Sequence, residues 1–104
     1  MDLRKITEEL SVSPQIAPED LPAIAEAGFR AILCNRPDGE ELGQPAYDAV
    51  ADAARAAGLE VQFLPIVSGR ITEADKEAFR AALDTLPRPI LAYCRTGTRC
   101  TVMW

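Results

Sequence analysis

Apolar and polar positions recur along this chain with two different periods, and the switches between them mark its elements. Leu10-Ser11-Val12-Ser13 alternates as a strand does. It reads as a short edge strand, closed by Pro14. Pro18-Glu19-Asp20 places a proline and two acids at a helix start, where a missing N–H is harmless and negative charge is favoured. Leu21, Ile24 and Ala25 share one face of that helix, and Gly28 stops it. Residues 29–34 are apolar except for Arg30, as in a buried strand, and Asn35-Arg36-Pro37-Asp38-Gly39 breaks the run. Residues 45–57 are alanine-rich, with Tyr47, Val50 and Ala54 at helical spacing and Gly58 as terminator.

Strand character returns over residues 60–66, with Pro65 marking the end. Thr72-Glu73-Ala74-Asp75 has the form of a capping box, opening a helix to about Leu86 with Phe79 and Leu83 on its buried face. Pro87 and Pro89 separate it from Ile90-Leu91-Ala92-Tyr93, another short buried strand. The residues after Gly97 suit one or two turns of helix. The order β-α-β-α-β-α-β-loop-α, with no internal repeat, predicts one α/β domain over residues 1–104. Its central sheet is mainly parallel, flanked by helices and joined by right-handed crossovers. Tyr47, Phe63, Phe79 and Trp104 are expected in the core. Residues 39–43, with Glu40 and Glu41, are the loosest stretch and are expected to form a mobile loop.

Composition narrows the chemistry. The chain has 104 residues, 48% hydrophobic and 26% charged, which is enough for one core. No stretch approaches the ~18 to 20 apolar residues of a membrane span, and the N-terminus lacks the apolar core of a signal peptide. A cytoplasmic protein is expected. A net charge of −5 without a basic run argues against nucleic acid. Histidine is absent, which excludes Ser-His-Asp triads, Cys-His pairs and histidine metal sites. Cys34, Cys94 and Cys100 form no C-x-x-C pair and read as thiols. No metal or cofactor is called for, so any reaction must run on cysteine, arginine, carboxylates, hydroxyls and backbone.

In open parallel sheets, ligands bind beyond the carboxyl ends of the strands. Loops 35–43, 67–71 and 95–99 leave those ends, bringing Arg36, Asp38, Ser68 and Arg70 to the edge where Cys94 stands. In Cys94-Arg95-Thr96-Gly97-Thr98-Arg99, a strand enters a tight loop in which Gly97 supplies φ > 0. Inward-facing amides would form a nest for an anion, and the same field would hold the Cys94 thiol below the ~8.5 of free cysteine. Arg99 offers a planar fork to an oxyanion, and Thr96 and Thr98 offer hydroxyls to the thiolate or the anion.

The competing reading makes Cys94 a buried thiol among solvated arginines. The glycine, both threonines and the strand-loop-helix setting favour a reactive cysteine. Arg36 is either an anion contact or a salt-bridge partner of Asp38 or Glu40. Asp38 is either an acid or a turn residue. Arg70 suits a solvated helix flank, and Arg95 an outward position that tunes approach. Cys34 is expected in the core. Cys100 either resolves an oxidised Cys94 or packs in the first helical turn.

Cys94-x-x-Gly97-x-Arg99, followed by a small residue, resembles the active loop of single-domain rhodaneses. SVSPQIAPEDLPAIAEAGFRAILCNRPDGEELGQP, LPIVSGRIT and LAYCRTGTR resemble the DUF442 family across nearly the whole chain. That family comprises phosphatase-like domains of beta-lactamase-hydrolase-like proteins and is also described as sulfurtransferase. The resemblance implies a fold similar to dual-specificity and tyrosine phosphatases, normally continuing beyond Trp104. Fusion of its members to sulfide-oxidising and persulfide-metabolising modules implies sulfur transfer.

Cysteine phosphatases carry His-Cys-x5-Arg, one position longer from Cys to Arg than this loop, and Tyr93 replaces their histidine. The resemblance also places their general acid about thirty residues before the cysteine, to protonate a departing alkoxide. Here Pro65-Ile66-Val67-Ser68-Gly69-Arg70 contains no acid, and Asp38 is the obvious substitute. Sulfur transfer needs no such acid. A thiolate attacks the outer sulfur of thiosulfate or a persulfide, sulfite or a thiolate leaves, and a thiol such as glutathione takes the sulfur. The expectation is a rhodanese-type sulfurtransferase acting through a Cys94 persulfide. Cys94 and Arg99 form its centre, and Arg95, Thr96, Gly97, Thr98 and Arg36 contact the anion. Asp38, Ser68, Arg70 and Cys100 stand in reserve. The alternatives are a cysteine phosphatase working through phosphocysteine and an inactive anion- or phosphopeptide-binding module.

Overall fold

Short apolar runs become the middle of a sheet, and helices cover both of its faces. The computed structural model describes residues 3–104. Its strands are β1 (Arg4–Lys5), β2 (Leu10–Ser13), β3 (Ala31–Cys34), β4 (Glu60–Phe63) and β5 (Ile90–Tyr93). They lie in the order β1-β2-β5-β3-β4, all parallel except β1, which runs antiparallel to β2. The helices are α1 (Leu21–Glu26), preceded by a 3-10 turn at Pro18–Asp20, α2 (Tyr47–Ala56), α3 (Glu73–Thr85) and α4 (Thr98–Met103). The expected mainly parallel α/β architecture is the one observed.

One placement differs. Leu10–Ser13 is not an edge strand but lies between β1 and β5, with all four residues buried. Its serines mislead because polar positions normally mark a solvent face, whereas here both faces are covered. Ser13 satisfies its hydroxyl by donating to the Pro14 carbonyl at 2.8 Å. The edge is β1, two exposed residues joined to β2 by a turn in which Thr7 Oγ1 accepts from the amides of Glu9 and Leu10.

Alternation along β5 sorts the core. Ile90, Ala92 and Cys94 point to the face of α3 and α4, packing with Phe79, Ala82, Leu83, Cys100 and Met103. Leu91 and Tyr93 point to the face of α1 and α2, among Leu21, Ile24, Val50 and Ala54. The capping box forms as read: Thr72 Oγ1 accepts from the Asp75 amide at 3.1 Å, and Asp75 Oδ2 accepts from the Thr72 amide at 3.0 Å. Phe79 is fully buried, but Phe63 and Trp104 are not core residues, at 37% and 56% exposed. Phe63 sits on edge strand β4, where its ring stacks on half-buried Tyr47 with centroids 4.5 Å apart. Trp104 follows the last turn of α4, beyond the sheet.

Strands β3 and β5 are neighbours, yet β3 leads to α2 on one face and β5 to α4 on the other. A crevice opens beyond the carboxyl ends of two such strands. No helix among the described residues is long and apolar enough to cross a membrane.

Candidate active site

The chain leaves β5 under the guidance of its neighbour. The Cys94 amide donates to the Ser13 carbonyl at 3.3 Å, and the Gln15 amide donates to the Arg95 carbonyl at 3.2 Å. The backbone then turns at Gly97, whose φ of +89° lies in the left-handed region. A side chain there would also meet a guanidinium nitrogen of Arg4 at 2.9 Å and the Ser13 backbone at 3.4 Å. Conformation and space both require glycine. The turn brings the Gly97 amide to 3.1 Å from Cys94 Sγ, to which it donates.

Cys94 is 1% exposed, but its thiol is held down to about 5. The hydrogen bond from the Cys100 thiol is the largest cause. Burial opposes it, and the amides of Cys100, Thr96 and Gly97 add to it. Cys100 is pushed strongly upward by Cys94 and by burial, so it stays a thiol and a donor. At neutral pH the pair is a thiolate served by a thiol. Cys100→Ala is therefore expected to raise the Cys94 pKa by about one unit or more, while Cys100→Ser keeps a donor and shifts it less. The pH dependence of Cys94 alkylation by iodoacetamide reads this directly; an unmoved inflection in Cys100→Ala would remove Cys100 from the role.

Arg99, 9% exposed, reaches across the crevice. Its two terminal nitrogens donate to Glu40 Oε2 at 3.0 Å and Oε1 at 3.1 Å, and one of them also to the Ile66 carbonyl at 3.0 Å. Arg36, which the sequence left between anion contact and salt bridge, is buried and engaged at all three of its nitrogens. Its Nε donates to Glu40 at 3.0 Å, one terminal nitrogen to Gln15 Oε1 at 2.9 Å and the other to Glu41 at 2.8 Å. The Glu40 half of that alternative is the arrangement present. Burial acts to raise the Glu40 carboxyl, but hydrogen bonds from Arg99 and Arg36 outweigh it and hold Glu40 below its ordinary range. Arg95 stands outward, with Nε 3.2 Å from Glu41. The 39–43 segment, expected to be loose, places Glu40 against Arg36 and Arg99 and Glu41 against Arg36 and Arg95, with Leu42 fully exposed.

The remaining candidates divide. Asp38 Oδ1 accepts from the Tyr47 amide at 2.8 Å, capping the start of α2, so the expected substitute acid is engaged there. Thr96 and Thr98 turn to one another: the Thr96 hydroxyl donates to Thr98 Oγ1 at 3.2 Å, not to the thiolate. Arg36, Glu40, Glu41, Ser68, Arg95, Thr96, Thr98 and Arg99 line a cleft of about 550 Å³, completed by Gly69, Ile71 and Val102. Arg70 is exposed in the adjoining turn and is absent from that lining. Cys34 is core: its thiol donates to the Arg36 carbonyl at 3.3 Å, and burial raises its pKa. Among the described residues, no cluster of three His, Cys, Asp or Glu is placed to hold a metal ion. Cys94, almost fully buried, is not among the residues that line the cleft but adjoins it through Arg95 and Thr96, and a second hollow of about 350 Å³ opens near Leu83, Arg88 and Trp104.

The sequence pointed to Glu40 only as one possible salt-bridge partner of Arg36 and to Glu41 only as a loop residue; neither was expected against Arg99 or Arg95. Their signal was their distance from Arg36, four and five positions on, within a loop already assigned to the ligand edge.

Over residues 2–104 the chain matches the family described as Beta-lactamase hydrolase-like protein, phosphatase-like domain. It is 40% identical over 104 residues to the Beta-lactamase hydrolase-like protein of Xylella fastidiosa, covering 100% of this chain and 24% of that protein. The chain thus spans roughly a quarter of the length of such relatives. A candidate phosphatase of Neisseria meningitidis, solved by crystallography, shares 39% identity with a TM-score of 0.94, covering 100% of this chain and 74% of its own. Tk-PTP in its active form shares the fold at 21% identity and a TM-score of 0.67, over 91% of this chain and 63% of its own. A cysteine at the end of a central parallel strand, an arginine closing the loop after it and these likenesses agree: the chain belongs to the DUF442 family, the phosphatase-like domains of beta-lactamase-hydrolase-like proteins, on a fold like that of the protein-tyrosine phosphatases.

Proposed function

We propose that the chain is a cysteine-based phosphatase. The Cys94 thiolate attacks the phosphorus of a monoester whose oxygens rest on the loop amides and Arg99. The leaving oxygen departs as phosphocysteine forms, and water then cleaves the S–P bond to release phosphate. The observation that carries this reading is the Cys94 sulfur, kept anionic by Cys100 and the loop amides at the base of a loop closed by Arg99. Kinship with phosphatase-like domains supports it and moves the preference away from the sulfur chemistry suggested by loop length.

The lining restricts the substrate. Asp38 is occupied at α2, and Glu40 is held as a carboxylate between two guanidiniums, so neither is ready to protonate an alkoxide. Esters and anhydrides whose leaving group departs unprotonated, such as aryl phosphates, are favoured over alkyl monoesters. The same lack favours a second reading: transfer of sulfur from thiosulfate or a persulfide to a thiol such as glutathione, where the leaving group needs no proton.

The purified chain, given an aryl phosphate in one assay and thiosulfate with glutathione in another, is expected to release phosphate. Mass spectrometry of trapped protein distinguishes a phosphoryl adduct of about +80 Da on Cys94 from a sulfur adduct of about +32 Da. Sulfite release without phosphate release would sink the phosphatase reading and establish the second.

A further inference from the structure

The Arg99 fork is already occupied, by a carboxylate from this same chain. Glu40 engages it through both oxygens, at 3.0 and 3.1 Å, in the planar two-point geometry with which arginine receives an external oxyanion. Glu40 Oε1 also accepts from Arg36, and Arg36 cannot follow a ligand, since its other donors are fixed on Gln15 and Glu41. Oε2 is held by Arg99 alone among the hydrogen bonds of the described residues. The two contacts are therefore separable: Glu40 can swing off Arg99 and remain on Arg36.

The geometry points to Glu40 as the specificity-determining residue of the cleft, an internal anion that an incoming oxyanion must displace from Arg99. The inference rests on the reading of Arg99 as the substrate's oxyanion seat. Because Glu40 is tethered, it competes at the effective concentration of an intramolecular group, in the millimolar range or above. A monocarboxylate offers Arg99 nothing that Glu40 does not and is turned away. A phosphate-like group, with up to two charges and a third oxygen, adds contacts with the loop amides that Glu40, reaching from the opposite loop, does not make. Once displaced, Glu40 still faces the ligand with its negative charge from Arg36, and Glu41 stands beside it against Arg95. The charged residues lining the cleft are then Arg36, Arg95 and Arg99 against Glu40 and Glu41. The balance is nearly even, which leaves binding to depend on geometry more than on attraction.

Glu40→Gln tests this with inorganic phosphate and acetate as probes, by calorimetry at pH 7 on the whole chain. Expected is phosphate binding tighter than wild type by about tenfold or more, with acetate now binding as well, because like-charge repulsion and internal competition both disappear. Should the neutral variant fail to fold, Glu40→Asp keeps the charge but is one methylene short of the two-point contact, and it is also expected to bind phosphate more tightly. Unchanged or weaker phosphate binding in whichever variant folds would overturn the proposal and leave Glu40 as a prop that positions Arg99. Turnover is not read, so the two ideas fail separately. A wild type that hydrolyses no phosphate ester would defeat the phosphatase reading, while tightened phosphate binding in the variant would still stand.

Discussion

Cys94→Ser is expected to lower hydrolysis of an aryl phosphate by about 10⁴-fold or more while leaving the fold intact. Serine preserves size at a position that is 1% exposed, so packing changes little. It does not preserve the anion: a hydroxyl in the same field stays protonated at neutral pH and is a far weaker nucleophile than a thiolate. The readout is phosphate release at saturating substrate, with circular dichroism as the control for folding. Residual activity within about tenfold of wild type would mean that another group attacks.

The same variant carries a stability signature whose sign is fixed. The Cys94 pKa is depressed in the folded protein to about 5, so it contributes stability that is present above the ordinary thiol pKa. That contribution is lost as pH falls through the folded value. The difference in unfolding free energy between wild type and Cys94→Ser should therefore shrink on acidification, and denaturant titrations at pH 4 and 9 would show it.

Arg99→Ala is expected to reduce kcat/KM by about 10²- to 10³-fold, the usual scale for removing a fixed oxyanion partner from an enclosed site. Arg99→Lys should recover only part of the loss. An ammonium supplies charge without the fork, and the bonds to Glu40 and to the Ile66 carbonyl are made by two nitrogens of that fork. Steady-state kinetics on both variants check this. A fall of less than tenfold in Arg99→Ala would remove the side chain from transition-state stabilisation and leave it as a tether for loop 37–44.

Much of the scaffold was legible because local chemistry and tertiary position agree. Thr72 and Asp75 cap α3 as their spacing requires, and Gly97 takes the left-handed turn that the loop needs. Strand β1 was not legible: two exposed residues have no periodicity to read, and only pairing with β2 makes them a strand. Phe63 and Trp104 misled for a related reason, since an aromatic side chain promises burial but an edge strand or a helix end does not supply it. Within the site, Cys94 and Arg99 could be found because six consecutive residues carry the pattern. Glu40 could not, because its pairing with Arg99 bridges 59 positions and arises only when β3 and β5 lie side by side. The place of Cys100 was hidden for the opposite reason. It is close in sequence, but only the turn at Gly97 and the start of α4 pack it in the same core cluster as Cys94.

That the neighbouring strands β3 and β5 lead to helices on opposite faces has a consequence for redesign. Cys94, Cys100 and Arg99 all sit on the segment from β5 to α4, whereas Glu40, which occupies Arg99, and Glu41, which pairs with Arg36 and Arg95, sit on the segment from β3 to α2. The hydrogen bond that sets Cys94 against Gly97 is made within the segment from β5 to α4. The charge facing an anion can thus be redesigned from the segment between β3 and α2 without touching the loop that holds the sulfur.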